Sequence, residues 1–240
     1  MMTDGGFLLY NINNVESLVA FTTKRPVGRN RPEICKMLGI DDSHLVYPHQ
    51  THGTKLLQIG EEFISLSPDT KKMLLEGVDA VMTNMTNVCV AVSTADCIPV
   101  LVCDMEHHAV AAIHAGWRGT VGRIVRKTLE QMHAAYGTNP ASLQCIIGPG
   151  ISQDCFEVGD EVYEAFAAAG FDMEQIARRK EKWHIDLWRT NAIELEAAGV
   201  DPASIHVEGV CTFSHSDEYF SARHDGAATG RMLNGIMLKK

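Results

Sequence analysis

The stretch Ala95-Asp96-Cys97-Ile98-Pro99-Val100-Leu101-Val102-Cys103, with Ala109-Val110-Ala111-Ala112-Ile113-His114-Ala115-Gly116-Trp117-Arg118-Gly119 after it, decides how this chain is read. Its two apolar runs, 99–103 and 109–113, read as adjacent buried strands. If they pair, a residue just before the first and one just after the second meet at a common sheet edge. Cys97 and His114 hold those two places. Upstream, Gln50-Thr51-His52-Gly53 supplies another histidine after the apolar segment Leu45-Val46-Tyr47. Two imidazoles and a thiolate form a ligand set suited to zinc, and they leave a fourth, exchangeable position. That open position separates a catalytic site from a structural one.

Outward from this centre, residues 7–12 and 18–23 read as strands around an Asn-rich turn, and 32–38 as a short helix stopped by Gly39. The spacing predicts a strand over 45–50 with 55–60 as its antiparallel partner, and further strands over 78–84 and 88–93. A long helix follows Gly119, with Val121, Ile124, Val125, Thr128, Leu129 and Met132 on one face. Thr120 is placed to cap it and Gly137 to end it. Then come a strand over 143–147, helices over 162–168 and 187–198, and late strands over 205–210 and 232–238. Strands and helices mix without strict βαβ alternation, so the fold class is a mixed α/β domain.

The 240 residues are enough for one large domain, residues 1–240. A formal net charge of −9, which no Lys/Arg cluster offsets, argues against nucleic acid as partner. No apolar run reaches membrane-span length, and the opening Met1-Met2-Thr3-Asp4-Gly5-Gly6 lacks a basic, apolar leader, so the expectation is a cytoplasmic protein without membrane contact. Seven singly scattered cysteines with no CxxC pair fit reduced thiols. A monomer is expected.

Each candidate has two readings. Cys97 is a ligand, an activated nucleophile or a small buried hydrophobe; Cys89, Cys103 and Cys145 lie inside apolar strands and suit the last. His49 and His52 point to opposite faces of an extended segment, so at most one faces the site, and His52 beside Gly53 is preferred. His44, His107, His108, His133, His184, His206 and His215 read as solvated or helix-surface histidines. Arg118, at the start of the long helix, is an anion holder or a structural ion-pair partner. The segments Gly148-Pro149-Gly150-Ile151 and Cys155-Phe156-Glu157-Val158-Gly159 are a rigid turn or a substrate wall. The tail from Tyr219-Phe220-Ser221-Ala222-Arg223 to Thr229-Gly230-Arg231 is a base- and phosphate-binding loop or a packed crossing.

Taken in order, Gln50–Gly53, Thr94-Ala95-Asp96-Cys97-Ile98-Pro99-Val100, His114–Gly119, the two glycine-bearing segments and the tail through Met232 closely resemble the YfiH-like family, also called the laccase-domain or multicopper polyphenol oxidase family. The resemblance spans almost the whole chain. It implies a layered α/β/β/α fold, similar to toxin deamidases that use a Cys–His pair. It implies a zinc site whose ligands fall on His52, Cys97 and His114. It also implies a purine nucleoside phosphorylase acting on adenosine, inosine, guanosine and methylthioadenosine, with adenosine deaminase activity. The family's Phe-Thr-Thr-Arg and Gly-Gly-Val-Ser pattern is altered here to Phe21-Thr22-Thr23-Lys24-Arg25-Pro26-Val27-Gly28, so Lys24 or Arg25 stands for that arginine.

Phosphorolysis requires an anion held beside the ribose and stabilisation of charge on the leaving purine. Arg118, Arg223 and Lys24 or Arg25 are the candidate anion holders. Three other readings compete. One is a copper-dependent polyphenol oxidase, with copper in the same ligand set; the chain has no His-x-His pair, which paired-motif laccases need. Another is an amide hydrolase with a Cys97–His114 dyad, editing peptidoglycan precursors. The last is a binding module without turnover.

Overall fold

The computed structural model describes residues 2–12 and 17–240. In chain order its strands are β1 (Met2–Asp4), β2 (Phe7–Tyr10), β3 (Leu18–Thr23), β4 (Leu45–Val46), β5 (Leu56–Gln58), β6 (Ala80–Thr83), β7 (Cys89–Thr94), β8 (Ile98–Asp104), β9 (Ala109–Ala115), β10 (Gln144–Ile147), β11 (Glu157–Val158), β12 (Ala177–Arg179), β13 (Trp183–Ile185), β14 (Ile205–Val207) and β15 (Met232–Leu238). The helices are α1 (Arg31–Leu38), α2 (Glu61–Ser65), α3 (Pro68–Leu75), α4 (Trp117–Val121), α5 (Ile124–Tyr136), α6 (Asp160–Ala168), α7 (Met173–Ile176), α8 (Leu187–Ala197) and α9 (Ala222–Asp225).

Two six-stranded sheets, ordered β1-β2-β3-β15-β7-β4 and β14-β10-β8-β9-β6-β5, face each other. Leu8, Val90, Val92 and Ile236 of the first meet Val81, Leu101, Val110 and Ile146 of the second in one buried cluster. The outer face of the second sheet, including Val100, Val102, Ala111 and Ile113, is covered by Ile124, Leu129 and Met132 of α5, Phe166 of α6 and Leu195 of α8. The outer face of the first carries Phe21, Ala91 and Leu233 against Ile34 and Leu38 of α1. The order is therefore helix, sheet, sheet, helix. Each fully buried Leu, Ile, Met or Phe in these layers contributes about 1.5–3 kcal/mol. A small antiparallel sheet, β11-β13-β12, adds Val158 and Ile185 to the core beneath the second sheet's helices.

β15 lies at the middle of the first sheet, antiparallel to both β3 and β7. Its Asn234 is fully buried and satisfied: the Thr22 hydroxyl donates to Oδ1 (2.7 Å), and Nδ2 donates to Thr94 Oγ1 (2.9 Å) and Val92 O (3.3 Å). A buried polar set that is complete in only one alignment pins the register of three strands.

Four local expectations change. The 45–50 strand stops at Val46, shortly before Pro48, which has no ladder donor. Residues 55–60 are not its antiparallel partner: β5 joins the other sheet and runs parallel to β6. The helix after Gly119 is broken: α4 ends at Val121, and α5 begins after Arg123, whose φ is 62°. Thr120 therefore lies within α4 instead of capping the long helix, while Gly137 (φ 78°) does end it. His184 is buried in β13 with Nδ1 bonded to Gln153 O, not at the surface. The Asn-rich turn falls largely on residues 13–16, outside the described residues. No helix among the described residues is long and apolar enough to cross a membrane.

Candidate metal centre and cleft

β8 and β9 pair antiparallel with Pro99 opposite His114 and Ile98 opposite Ala115. That register returns Cys97, just before β8, to the side of the His114 ring. β6 lies on the other flank of β9, with Ala80 opposite Ile113, so Asp79 also arrives at this end of the sheet. The loop after β4 brings His52 over the same point, with a left-handed φ of 62°. The sulfur and one nitrogen of each imidazole lie within 4.8 Å of one another. The two rings meet edge to face at 4.9 Å.

The environment matches the donor types. Burial pushes the Cys97 thiol up, but the His114 charge and hydrogen bonds from His114 and His52 outweigh it and bring the thiol down to about 6. The thiolate is the form that binds metal or attacks. Burial alone lowers the His114 ring; the Cys97 charge and the Asp79 hydrogen bond reverse this and raise it to about 9. Asp79 is depressed: burial raises it, and hydrogen bonds from His114 and the Gly53 N–H more than offset that. The contrast with Cys89, Cys103 and Cys145 is direct, since burial pushes all three thiols up.

Gly116 is the floor beneath the three donors. A Cβ there would stand 3.0 Å from Cys97 Sγ, 3.2 Å from His52 Cδ2 and 3.6 Å from His114 Cε1. The missing side chain leaves a cradle amid two imidazoles and a thiolate, so the residues fit a metal ion of borderline softness.

The three donors open into a cleft of about 600 Å³. Trp117, Ile151 and Phe156 give it apolar walls, and Arg29, Arg223 and Arg231 give it positive charge. Asp96, with φ 83°, ties the far wall down: its carboxylate accepts the Thr212 hydroxyl (2.7 Å) and the Arg223 backbone N–H (2.7 Å). The Arg223 guanidinium lies 5.7 Å from the Phe156 ring and donates to Glu157 O (3.0 Å).

The structure brings His52, Cys97, His114 and Arg223 together around this cleft. Lys24, Arg25 and Arg118 are not among its lining residues. Lys24 pairs with Glu218, and Arg25 pairs with Asp225 while lying over the Phe220 ring. Arg118 is exposed and folds back over Trp117, 4.2 Å from the ring. His49 reaches the rim, where its Nδ1 meets Glu76 Oε1 at 2.7 Å. Sequence reasoning missed Asp79, Arg29 and Gly116. Asp79, directly before an apolar strand after Gly77-Val78, was the legible signal, since a carboxylate at a strand entrance needs a partner.

A family model described as multi-copper polyphenol oxidoreductase laccase matches residues 10–239. The chain is 48% identical over 217 residues to a protein of Bacteroides thetaiotaomicron named purine nucleoside phosphorylase, covering 89% of this chain and 80% of that one. It is 42% identical over 212 residues to adenosine deaminase RL5 from an unknown prokaryotic organism, covering 87% and 80%. The crystal structure of the Bacillus licheniformis hypothetical protein YfiH superposes with a TM-score of 0.88 at 25% identity, over 98% of this chain and 97% of that one.

Proposed function

Because this chain belongs to the multi-copper polyphenol oxidoreductase laccase family, in which its relatives bear phosphorylase and deaminase names, we propose that it is a purine nucleoside phosphorylase with adenosine deaminase activity. Its catalytic centre is His52, Cys97 and His114 holding zinc. It takes adenosine, inosine, guanosine or methylthioadenosine together with phosphate. It acts as one domain, residues 1–240, a monomer in the cytoplasm.

The observation that carries this reading is the convergence of His52, Cys97 and His114 donor atoms within 4.8 Å, in a cleft that also holds three arginines. Zinc, when bound there, supplies a Lewis acid and a means of ionising water near neutral pH. The rest is done by the chain. Arg29, Arg223 and Arg231 hold and orient the phosphate, whose charge matches the guanidinium fork. Trp117, Phe156 and Ile151 give the purine an apolar berth. In phosphorolysis a phosphate oxygen bonds to the anomeric carbon, and the glycosidic C–N bond breaks with its electrons going to the purine. Holding both reactants in one cleft converts a bimolecular encounter into an oriented one.

Among the described residues, one group of three or more His, Cys, Asp or Glu side chains is close enough to hold a metal. That favours a single catalytic ion over the several of a multicopper oxidase. A metal-independent reading is favoured by one observation: the depressed Cys97 thiol beside His114 forms a thiolate–imidazole pair of the kind that attacks amides.

The test is product analysis with adenosine, with and without phosphate, on protein whose bound metal has been assayed. The expected result is adenine and ribose 1-phosphate with phosphate, and inosine without it. Absence of both products with zinc-loaded protein overturns the nucleoside reading. Amide hydrolysis that survives metal removal would instead establish the thiolate–imidazole pair as the working centre.

A further inference from the structure

Asp79 is fully buried, yet its carboxylate is the most heavily used side chain around the centre. Oδ1 accepts the His52 backbone N–H (2.9 Å) and His114 Nδ1–H (2.8 Å). Oδ2 accepts the backbone N–H groups of Thr51 (3.3 Å) and Gly53 (2.8 Å). Its own backbone carbonyl accepts the His114 N–H at 2.8 Å. One residue thus grips both histidine-bearing elements, by side chain and by main chain.

We propose that Asp79 is the positioning residue of the metal centre: it fixes the His114 tautomer and holds the His52 loop in its left-handed turn, so that two of the three donors are set by one carboxylate. The proposal rests on His52, Cys97 and His114 binding a metal, and not on the reaction assigned to them.

Two physical consequences follow from the geometry. A carboxylate only accepts, so Nδ1 of His114 must carry the proton and Nε2 keeps its lone pair for the metal. Successive N–H groups converging on an anion form a nest, and that nest holds His52 at φ 62°, a conformation uncommon for residues other than glycine. Asparagine is nearly the same shape but cannot satisfy both sides. With its amide NH2 toward His114, it forces Nδ1 to accept and moves the proton onto Nε2. With its oxygen toward His114, it aims N–H against the N–H groups of Thr51 and Gly53.

The experiment is zinc affinity by competition with a chromophoric chelator, using zinc alone as the probe, for wild type, Asp79→Asn, Asp79→Glu and Cys97→Ser. Asp79→Asn is expected to bind zinc about 10–100-fold more weakly, with Asp79→Glu recovering part of the loss. Wild-type affinity in a folded Asp79→Asn protein overturns the proposal. If Cys97→Ser also leaves zinc affinity unchanged, the metal assignment itself has failed, and the two failures are thereby told apart. Should Asp79→Asn not fold, nitrogen NMR of the wild-type imidazoles decides: a proton on His114 Nδ1 in the zinc-bound protein is expected, and a proton on Nε2 overturns the proposal.

Discussion

Gly116 lies so close to Cys97 that a side-chain carbon on it would stand 3.0 Å from Sγ. Its backbone angles, φ −69° and ψ 166°, are open to any residue, so the glycine is present for space rather than for conformation. Gly116→Ala is therefore expected to keep its fold and melting temperature while losing at least about tenfold in zinc affinity, since donors displaced by a few tenths of an ångström no longer share one ion. Metal stoichiometry beside a thermal melt checks this. Full zinc occupancy in the variant would show that the cradle is not the metal's seat.

The Cys97 thiol gives a pH signature in metal-free protein. With the thiol brought down to about 6, its alkylation rate should rise as pH passes about 6 and then level off. An ordinary cysteine would keep gaining until its own, higher value. His114→Ala removes the charge and hydrogen bond that oppose burial, so the rising limb moves to higher pH. Iodoacetamide kinetics from pH 5 to 10, read at Cys97 by mass spectrometry, measure both curves.

Arg29→Ala and Arg231→Ala are each expected to raise the KM for phosphate by about 10–100-fold, the loss of a charge-assisted contact of about 1.5–3 kcal/mol. Lys24→Ala should leave that constant unchanged, because Lys24 is paired with Glu218 and does not line the cleft. Steady-state kinetics at saturating nucleoside decide. Equal effects from Lys24 and Arg29 would move the anion site toward the altered Thr23-Lys24-Arg25 segment.

Arg123, at the break between α4 and α5, pairs with Glu194, whose side chain is 4% exposed. It also donates to Ala169 O (2.6 Å) and covers the Phe171 ring at 3.5 Å. Arg123→Ala strands a buried carboxylate, an expected cost of about 3–5 kcal/mol. Arg123→Met with Glu194→Leu removes both charges and should recover most of it. Urea unfolding of the two proteins compares them, and a double variant as weak as the single one would locate the cost in the helix break instead.

The centre was legible in the sequence where chemistry and strand pattern coincided. Cys97 and His114 flank two apolar runs, and the antiparallel pairing that those runs demand puts Pro99 opposite His114. The apolar runs by themselves gave only a mixed α/β class; the layering was implied by the family resemblance. The cations were not legible, because an arginine's task depends on which carboxylate lies across the fold: Arg25 meets Asp225 and Lys24 meets Glu218, both from the far end of the chain. Arg29, by contrast, has no ion-pair partner among the described residues and lines the cleft. Thr120 misled because a capping residue and an apolar helical stripe were both present, while the chain breaks at Arg123, which takes a left-handed φ of 62° and pairs with Glu194 from a distant helix. The strand within 55–60 was given the wrong partner because apolar spacing does not say which of two sheets a strand joins.

β15 fills the gap between β3 and β7, and its Asn234 closes the hydrogen-bond set that aligns them. During synthesis, everything from β3 to α9 leaves the ribosome before the strand that unites the first sheet exists. Until residues 232–238 emerge, β3 and β7 present bare edges to the surroundings, the condition most prone to mispairing. Closure of that sheet is thus a late and long-range event, and the nascent chain carries those open edges up to that moment.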